Sequence, residues 1–455
     1  MSLVLDGPRP SDAASEPEPS PDAARPAATK RRPRRIHRFL VRRRGPFVKV
    51  HRWLSFVLLA WVVVESVTGS AIVFASDIDH AWNRDAFTST PGDVGVDEAI
   101  AAAREARPDD LVRYVSTPGS GHTNGMYAVW VTDADGDYHN VLVDPGSGDV
   151  TAKDHHEPAA IAFLERLHFD LNSTSIFGAL PLTVMGWMAI GWLVVLLSGF
   201  YLWYWPGVKR WARALRVRRG RGRFTFHLDL HKAVGIAAFV PLVLIVVTGI
   251  NFAFPQQTRD VWNAVTFGTY EEPTAETPLS EPVAGAEKLT ADDAAARVAA
   301  LDGAIDVAYV YPPAGSPVGV YTVEAEVDAA FLDTMGGARH VEFAVDQYSG
   351  RIVEIEDPAN DNTATRAYDE WASQVHFGTI GGLTTEVLWV FVGLAPVVLG
   401  VTGTVMWFTR RSKRKARRAD PAAPEEPAEP DPDPDLELAS TPASAASAPT
   451  PGDPS

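Results

Sequence analysis

A long apolar segment occurs twice in this chain, and no other feature restricts its fold so tightly. The first copy, VHRWLSFVLLAWVVVESVTGSAIVFASDIDHAWN, spans residues 50–83, and the second, LHKAVGIAAFVPLVLIVVTGINFAFPQQTRDVWN, spans residues 230–263. One offset relates them throughout: His51 to His231 (231 − 51 = 180), Thr68-Gly69 to Thr248-Gly249, and Trp82-Asn83 to Trp262-Asn263. Register held over that length marks a duplication. It places one histidine at the same depth in each half. Two such imidazoles facing each other across a pseudo-twofold axis have the chemistry of the two axial ligands of one haem.

Apolar runs lie near residues 48–76, 182–205, 231–254 and 386–408. Each has about 20 residues or more, enough to cross a hydrocarbon layer of about 30 Å at about 1.5 Å per residue. Clusters of Lys and Arg fall before the first run (Lys30 to Arg44), between the second and third (Lys209 to Arg223) and after the fourth (Arg410 to Arg418). By the positive-inside rule these three stretches are cytoplasmic, as are both termini. Their position beside helix ends fits topology and anionic lipid headgroups, and no nucleic-acid partner is expected. The expected order is a disordered basic tail (1–45), a transmembrane helix (46–76), an extracytoplasmic segment (77–181), a second helix (182–206), a basic loop (207–227), a third helix (228–254), a second extracytoplasmic segment (255–385), a fourth helix (386–409) and a disordered tail (410–455). The first run follows a long polar stretch and exceeds a signal-peptide core, so it reads as an uncleaved anchor.

The chain has no cysteine. That excludes disulfides, iron–sulfur clusters and covalently attached haem, so any haem is b-type. Walker, HExxH and convincing dinucleotide motifs are absent from the sequence as well. Chemistry through ATP, a zincin site or a Rossmann-bound nicotinamide is therefore not expected.

The two extracytoplasmic segments match each other. VDEAIAAAREARP from Val96 and LTADDAAARVAAL from Leu289 have the spacing of short amphipathic helices. Strand-like runs follow at Tyr127–Thr132 and Tyr138–Val143, and at Val318–Val327 and His340–Ile355, with closing turns at Gly148 and Gly350. YHNVLVDPGSGDV and HVEFAVDQYSGRIV resemble the PepSY domain, a small α+β unit. The order of helix, domain, helix, twice over, resembles the PepSY-associated transmembrane proteins, which include iron-regulated membrane proteins and ferric-siderophore reductases. The resemblance covers about residues 46–410. It implies an α-helical integral membrane protein of the bacterial cytoplasmic membrane, with four transmembrane helices in two parallel repeats and two small α+β PepSY domains on the extracytoplasmic side. It also implies haem b, two groups here, and electron transfer outward to a ferric chelate or siderophore. The donor would be a cytoplasmic flavoprotein reductase or membrane quinol. The alternative is a non-enzymatic membrane protein whose PepSY domains bind an extracytoplasmic peptidase or other partner.

Four of the twelve histidines sit at matching places. His51 and His231 open the first and third apolar runs. His168 (in ERLHFDL) and His376 (in SQVHFGT) precede the second and fourth, with four extra residues after His168 assigned to Asn172 through Ser175. Pairing His51 with His231 and His168 with His376 gives one haem-iron site near each membrane face. His227 lies four residues before His231 on the same helical face and is a secondary candidate for haem contact. Arg52 and Lys232 directly follow the first pair and can meet propionates or snorkel to headgroups. Glu65 lies inside the first apolar run, where an unpaired carboxylate is costly; it can carry protons or bond a neighbouring helix. Its repeat position holds Ile245. The small pairs Thr68-Gly69, Ser198-Gly199, Thr248-Gly249 and Thr402-Gly403 read as places where helices, or a flat porphyrin, approach closely.

Overall fold

The structure is a computed structural model that describes residues 44–120, 123–172, 178, 180–204, 215–270, 278–301, 304–327 and 339–419. Residues 1–43, 207–214 of the basic connection expected at 207–227, and 420–455 lie outside the described residues; residues 410–419, expected in a disordered tail, continue the last helix, and the third long helix begins at Arg223 inside the expected connection. In chain order the first half contains α1 (Arg44–Ile72), α2 (Ala75–Trp82), α3 (Val96–Ala106), β1 (Leu111–Ser116), β2 (Tyr127–Thr132), β3 (Tyr138–Val143), β4 (Val150–Ala152), α4 (Ala159–Asp170) and α5 (Leu180–Tyr204). The second contains α6 (Arg223–Ala253), α7 (Pro255–Val265), α8 (Ala291–Ala299), β5 (Ala304–Tyr311), β6 (Val320–Val327), β7 (Arg339–Asp346), β8 (Ile352–Glu356), α9 (Thr363–Asp369), α10 (Trp371–Phe377) and α11 (Leu383–Ala419).

Helices α1, α5, α6 and α11 are long and apolar enough to cross a membrane. Their central stretches are apolar, as lipid requires, and the helical backbone meets its own polar groups except where Pro241 in α6 and Pro396 in α11 each remove a donor. Large apolar side chains such as Val57, Trp187, Val240 and Phe391 project outward from the bundle. Leu58, Val62, Trp192, Val195, Leu196, Ala238, Leu242, Val392 and Ala395 fill its interior. Helix α1 packs on α5 and α11, and α6 packs on the same two. The short helices α4 and α10 lie alongside α1 and α6 respectively.

The strands do not form two separate domains, as the sequence suggests. They make one antiparallel sheet of eight strands in the order β4-β3-β2-β1-β5-β6-β7-β8. The junction is short: Val115 pairs with Val310, and Ser116 with Tyr309. Alternation along each strand puts Val129, Val131, Val141, Val310, Val323, Val341 and Val345 on one face. There they share a single core with Ile100 and Ala103 of α3 and Ala294 and Val298 of α8. One continuous sheet removes the two edges that separate domains would expose.

The two covering helices also cap each other. The Asp292 carboxylate accepts from the backbone N–H of Val96 at 2.6 Å and of Asp97 at 3.2 Å. Asp97 returns the contact, accepting from Ala291 at 3.1 Å and Asp292 at 2.9 Å. Each carboxylate therefore neutralises the positive end of the opposite helix. Burial, and then the adjacent Asp97 carboxylate, raise the pKa of Asp292.

The two closing turns are built alike. Asp144 accepts from the N–H of Thr90 and Gly146 and from the hydroxyls of Thr90 and Ser147. Asp346 accepts from the N–H of Glu281, Tyr348 and Ser349 and from the Ser349 hydroxyl. Gly148 (φ 77°) and Gly350 (φ 68°) take the left-handed conformation that closes each turn. Burial opposes ionisation of both aspartates, but the hydrogen bonds outweigh it and hold each pKa down at about 2.

Two outcomes follow from these carboxylates. Both turn aspartates have a folded pKa below the unfolded value of about 3.9, so their stabilisation is full above that value and is lost as pH falls toward 2. Thermal unfolding followed from pH 6 to pH 2 should show a falling Tm, with a shallower fall in Asp144→Asn and Asp346→Asn. Separately, Asp97→Ala and Asp292→Ala should each cost about 1 kcal/mol by loss of a cap. Denaturant titration followed by tryptophan fluorescence measures this, and the double variant should be non-additive because the caps share one junction.

Candidate functional site

The two ends of the bundle each gather two of the four matched histidines. At the end carrying the basic residues, His51 of α1 and His231 of α6 have ring centroids 6.3 Å apart, with planes at 90°. At the sheet end, His168 and His376 are close enough that charges on the two rings would oppose each other. His51 and Thr68 are both on α1, 17 residues apart (68 − 51), so the two ends are separated by about 25 Å along that helix. His168 does not extend α5 but belongs to the separate helix α4, and His376 belongs to α10. A left-handed residue ends each of these helices, Leu171 (φ 56°) and Gly378 (φ 79°), and lets the chain turn back before the next crossing. Of the extra residues assigned to Asn172–Ser175, those from Ser173 onward lie outside the described residues.

Every histidine is held through Nδ1 by the small pair of a neighbouring helix. His51 contacts Ser198 Oγ at 3.2 Å and the Val195 carbonyl at 3.0 Å. His231 contacts Thr402 Oγ1 at 2.8 Å. His168 contacts Thr68 Oγ1 at 3.0 Å. His376 contacts Thr248 Oγ1 at 2.9 Å and the Ile245 carbonyl at 3.1 Å. These partners favour one tautomer. Each donates its one proton to a carbonyl of its own helix: Ser198 to Val195, Thr402 to Val398, Thr68 to Val64 and Thr248 to Leu244. A hydroxyl so committed can only accept from the imidazole. At His51 and His376 a backbone carbonyl, which can only accept, also faces Nδ1, so that nitrogen carries the hydrogen and Nε2 keeps a lone pair; the same hydroxyl arrangement at His168 and His231 favours the same tautomer.

The glycine of each pair makes room for the ring. A Cβ on Gly69 would lie 2.7 Å from His168 Cε1, and one on Gly199 would lie 3.0 Å from His51 Cε1. Gly249 and Gly403 leave more space, at 3.4 and 3.7 Å from the corresponding atoms of His376 and His231. The sequence showed these pairs as sites of close approach. The structure adds that each also orients a histidine.

A cavity of about 740 Å³ opens beside the His51–His231 pair. Val62, Trp192, Leu196, Gly235, Leu399 and Gly403 give it an apolar interior, while Arg44, Arg52, Lys232, Arg410, Arg411, Arg414 and Lys415 line its basic end. Arg52 Nε is buried there without an acceptor among the described residues. His227 is not among the lining residues; its Nδ1 donates to the Arg223 carbonyl of its own helix at 2.7 Å. The structure thus does not bring this secondary candidate to the pair.

These features fit a haem. Two imidazoles on one metal, each about 2 Å away through Nε2, have ring centres about 6.4 Å apart, against 6.3 Å for His51 and His231. The volume lies within the usual range for ligand sites, about 300–1,000 Å³. The orphaned guanidinium N–H and the neighbouring cations suit carboxylates at one edge of a flat apolar group. Among the described residues no three His, Cys, Asp or Glu side chains gather as a bare ion would need.

The family model for the PepSY-associated TM region matches residues 48–410. The chain belongs to that family. No curated protein sequence matches it. The match makes it a membrane protein of the PepSY-associated type, consistent with its four apolar helices.

Three other histidines of this PepSY-associated protein, His139, His155 and His156, make polar contacts in its sheet region. His155 Nε2 lies 2.8 Å from Asp79 Oδ2, and His139 bridges Asp133 and Asp154 at 3.1 Å each. The adjacent His155-His156 pair is divided, because His156 turns to Asp154 instead. Asp229, two residues before His231, forms a two-pronged ion pair with Arg218 at 2.9 and 3.1 Å. That pair ties the connection before α6 to the start of the helix.

The spacing at the glycines predicts a graded response. Gly69→Ala and Gly199→Ala should destabilise the detergent-solubilised protein by about 1–3 kcal/mol through overpacking against a ring. Gly249→Ala and Gly403→Ala should be neutral, or gain up to about 1 kcal/mol from helix propensity. Thermal unfolding of the four variants side by side tests the order.

Proposed function

We propose that this protein carries electrons across the bacterial cytoplasmic membrane through two b-type haems and reduces ferric-siderophore-type chelates on the far side. The observation that carries this reading is the four-fold arrangement of imidazoles, each with Nδ1–H fixed by a hydroxyl and Nε2 left as a lone-pair donor. Holding the outer nitrogen in this way is how metal-ligating histidines are oriented. The reading treats the chain as two parallel repeats, with each half of the sheet a PepSY unit on the extracytoplasmic side and both termini cytoplasmic.

His51 and His231 would hold one haem iron at the cytoplasmic end, and His168 and His376 a second at the outer end. Arg52 and Lys232, which line the cavity, would meet the propionates of the first. The apolar helix walls exclude water, so charge moves without hydrolysis or proton leakage at the metal. Bound haem iron supplies a one-electron carrier at each end. Two sites divide a crossing of about 30 Å into shorter steps. Electrons enter from a cytoplasmic flavoprotein or from quinol, and each Fe(III) chelate that accepts one electron becomes an Fe(II) chelate that binds its iron less tightly.

The test is an absorption spectrum of the detergent-purified protein, oxidised and then dithionite-reduced, with haem quantified as the pyridine complex. About two haems per chain and a sharp reduced band near the α position are expected. His231→Ala and His376→Ala should each lose about one haem, and a ferrous-specific chromophore should report iron released from a ferric chelate by the reduced wild type. A featureless spectrum from protein made with ample haem would remove the reading and leave a PepSY module that binds a protein partner.

A further inference from the structure

The basic end of the 740 Å³ cavity carries more positive charge than the histidine site inside it uses. Arg410, Arg411, Arg414 and Lys415 recur at helical spacing on α11 and share the face turned to the cavity, where Arg44 joins them. The four α11 side chains are exposed at the mouth. Arg410 lies over the Phe224 ring at 4.7 Å and Arg411 over the Trp407 ring at 5.2 Å, which orients both. No Asp or Glu is among the lining residues. A haem carries two carboxylates, and Arg52 and Lys232 suffice for them, so Arg44 and the four α11 cations remain. The chain itself holds their complement. Residues 419–455 contain no Lys or Arg, whereas Glu425, Glu426, Glu429, Asp431, Asp433, Asp435 and Glu437 follow one another closely.

We propose that the acidic segment 425–437 docks on the basic mouth of the His51–His231 cavity as an intramolecular ligand, so that an anionic partner reaching this face must displace it. The segment directly follows the basic end of α11, so both lie on the same side of the membrane. Reach favours this occupant as well as charge. Arg410 lies nine residues before Ala419 (419 − 410), about 14 Å along the helix. Six residues lead from Ala419 to Glu425 (425 − 419), and a proline-rich stretch covers about 3.1 Å per residue, about 19 Å in all. Glu425 and the acids after it can therefore return along α11 to every cation of the mouth. Pro427, Pro430, Pro432 and Pro434 interleave the acids, and proline lowers the conformational freedom that docking costs. Exposed charge pairs are individually weak. The covalent link offsets this by holding the segment at an effective concentration of about 1 mM. The contact uses cations that a haem leaves over, and it holds whether or not haem fills the interior.

The experiment titrates a dye-labelled peptide of residues 421–440 against the full-length protein in nanodiscs containing phosphatidylglycerol, followed by fluorescence anisotropy. One sample is the wild type. In the other the seven acids of the segment are replaced by Gln or Asn, which leaves the described residues untouched. The amide-tail protein should bind the peptide about tenfold more tightly, the factor set by a tethered competitor at about 1 mM with an affinity of about 0.1 mM. Added salt should weaken that binding, because exposed charges are screened. Arg414→Gln with Lys415→Gln in the amide-tail protein should remove most of it. Equal affinity for the wild type and the amide-tail protein overturns the inference; if a difference then emerges only in phosphatidylcholine nanodiscs, lipid headgroups are the occupant instead. Peptide binding that survives the Arg414 and Lys415 substitutions also overturns it, and assigns the segment to another basic run such as Lys30–Arg38. None of these readouts depends on haem content, so failure here leaves the haem reading intact, and a haem-free protein leaves this inference intact.

Discussion

A hydroxyl that has already given its proton to its own helix organises the bundle. Serine and threonine within a helix commonly bond back to the carbonyl one turn earlier. Here that local habit leaves an acceptor pointing sideways, and an imidazole from a neighbouring helix donates to it. The glycine that follows supplies the space. One dipeptide thus does two things: it brings a ring against a helix, and it fixes which nitrogen carries hydrogen. Since lipid offers no hydrophobic drive between helices, such interhelical hydrogen bonds and small-residue contacts carry much of the specificity of packing.

The same division of labour recurs at both ends. Helices α1 and α6 each give a histidine at the basic end and a hydroxyl at the sheet end. Helices α5 and α11 give hydroxyls at the basic end, and α4 and α10 give histidines at the sheet end. The sheet-end site therefore depends on two short helices that are connected directly to the sheet region. The fused sheet, with its shared core and reciprocal Asp97 and Asp292 caps, fixes the two halves relative to each other and so holds α4 and α10 at the spacing the site requires.

Much of this was readable in the sequence, and the exceptions have physical causes. The four crossings follow from length and hydropathy, and β2 and β3 coincide with the alternating runs at Tyr127–Thr132 and Tyr138–Val143. Strands β1 and β5 escaped because β-bulges break their alternation, between Val112 and Tyr114 in one and at two places in the other. Those two strands join the halves, so missing them turned one sheet into two domains. The pairing of His51 with His231 was legible from the 180-residue offset. The role of the small pairs was not. Their signal is an unspecific Ser/Thr-Gly, and only the geometry shows a ring lying against each one.

Glu65 shows where a duplicated chain can depart from symmetry. A single side chain beside His168 distinguishes the two halves, while the carbonyl contacts of His168 and His376 stay matched. The position is also costly. Glu65 Oε1 is buried with no hydrogen-bond partner among the described residues, and an incompletely paired acid in a membrane helix weakens the fold unless something offsets it. Isoleucine fills the equivalent place in the other half at no such cost. The duplication thus keeps the imidazole and its hydroxyl partner in both halves, and places a buried acid beside the ring in one of them alone.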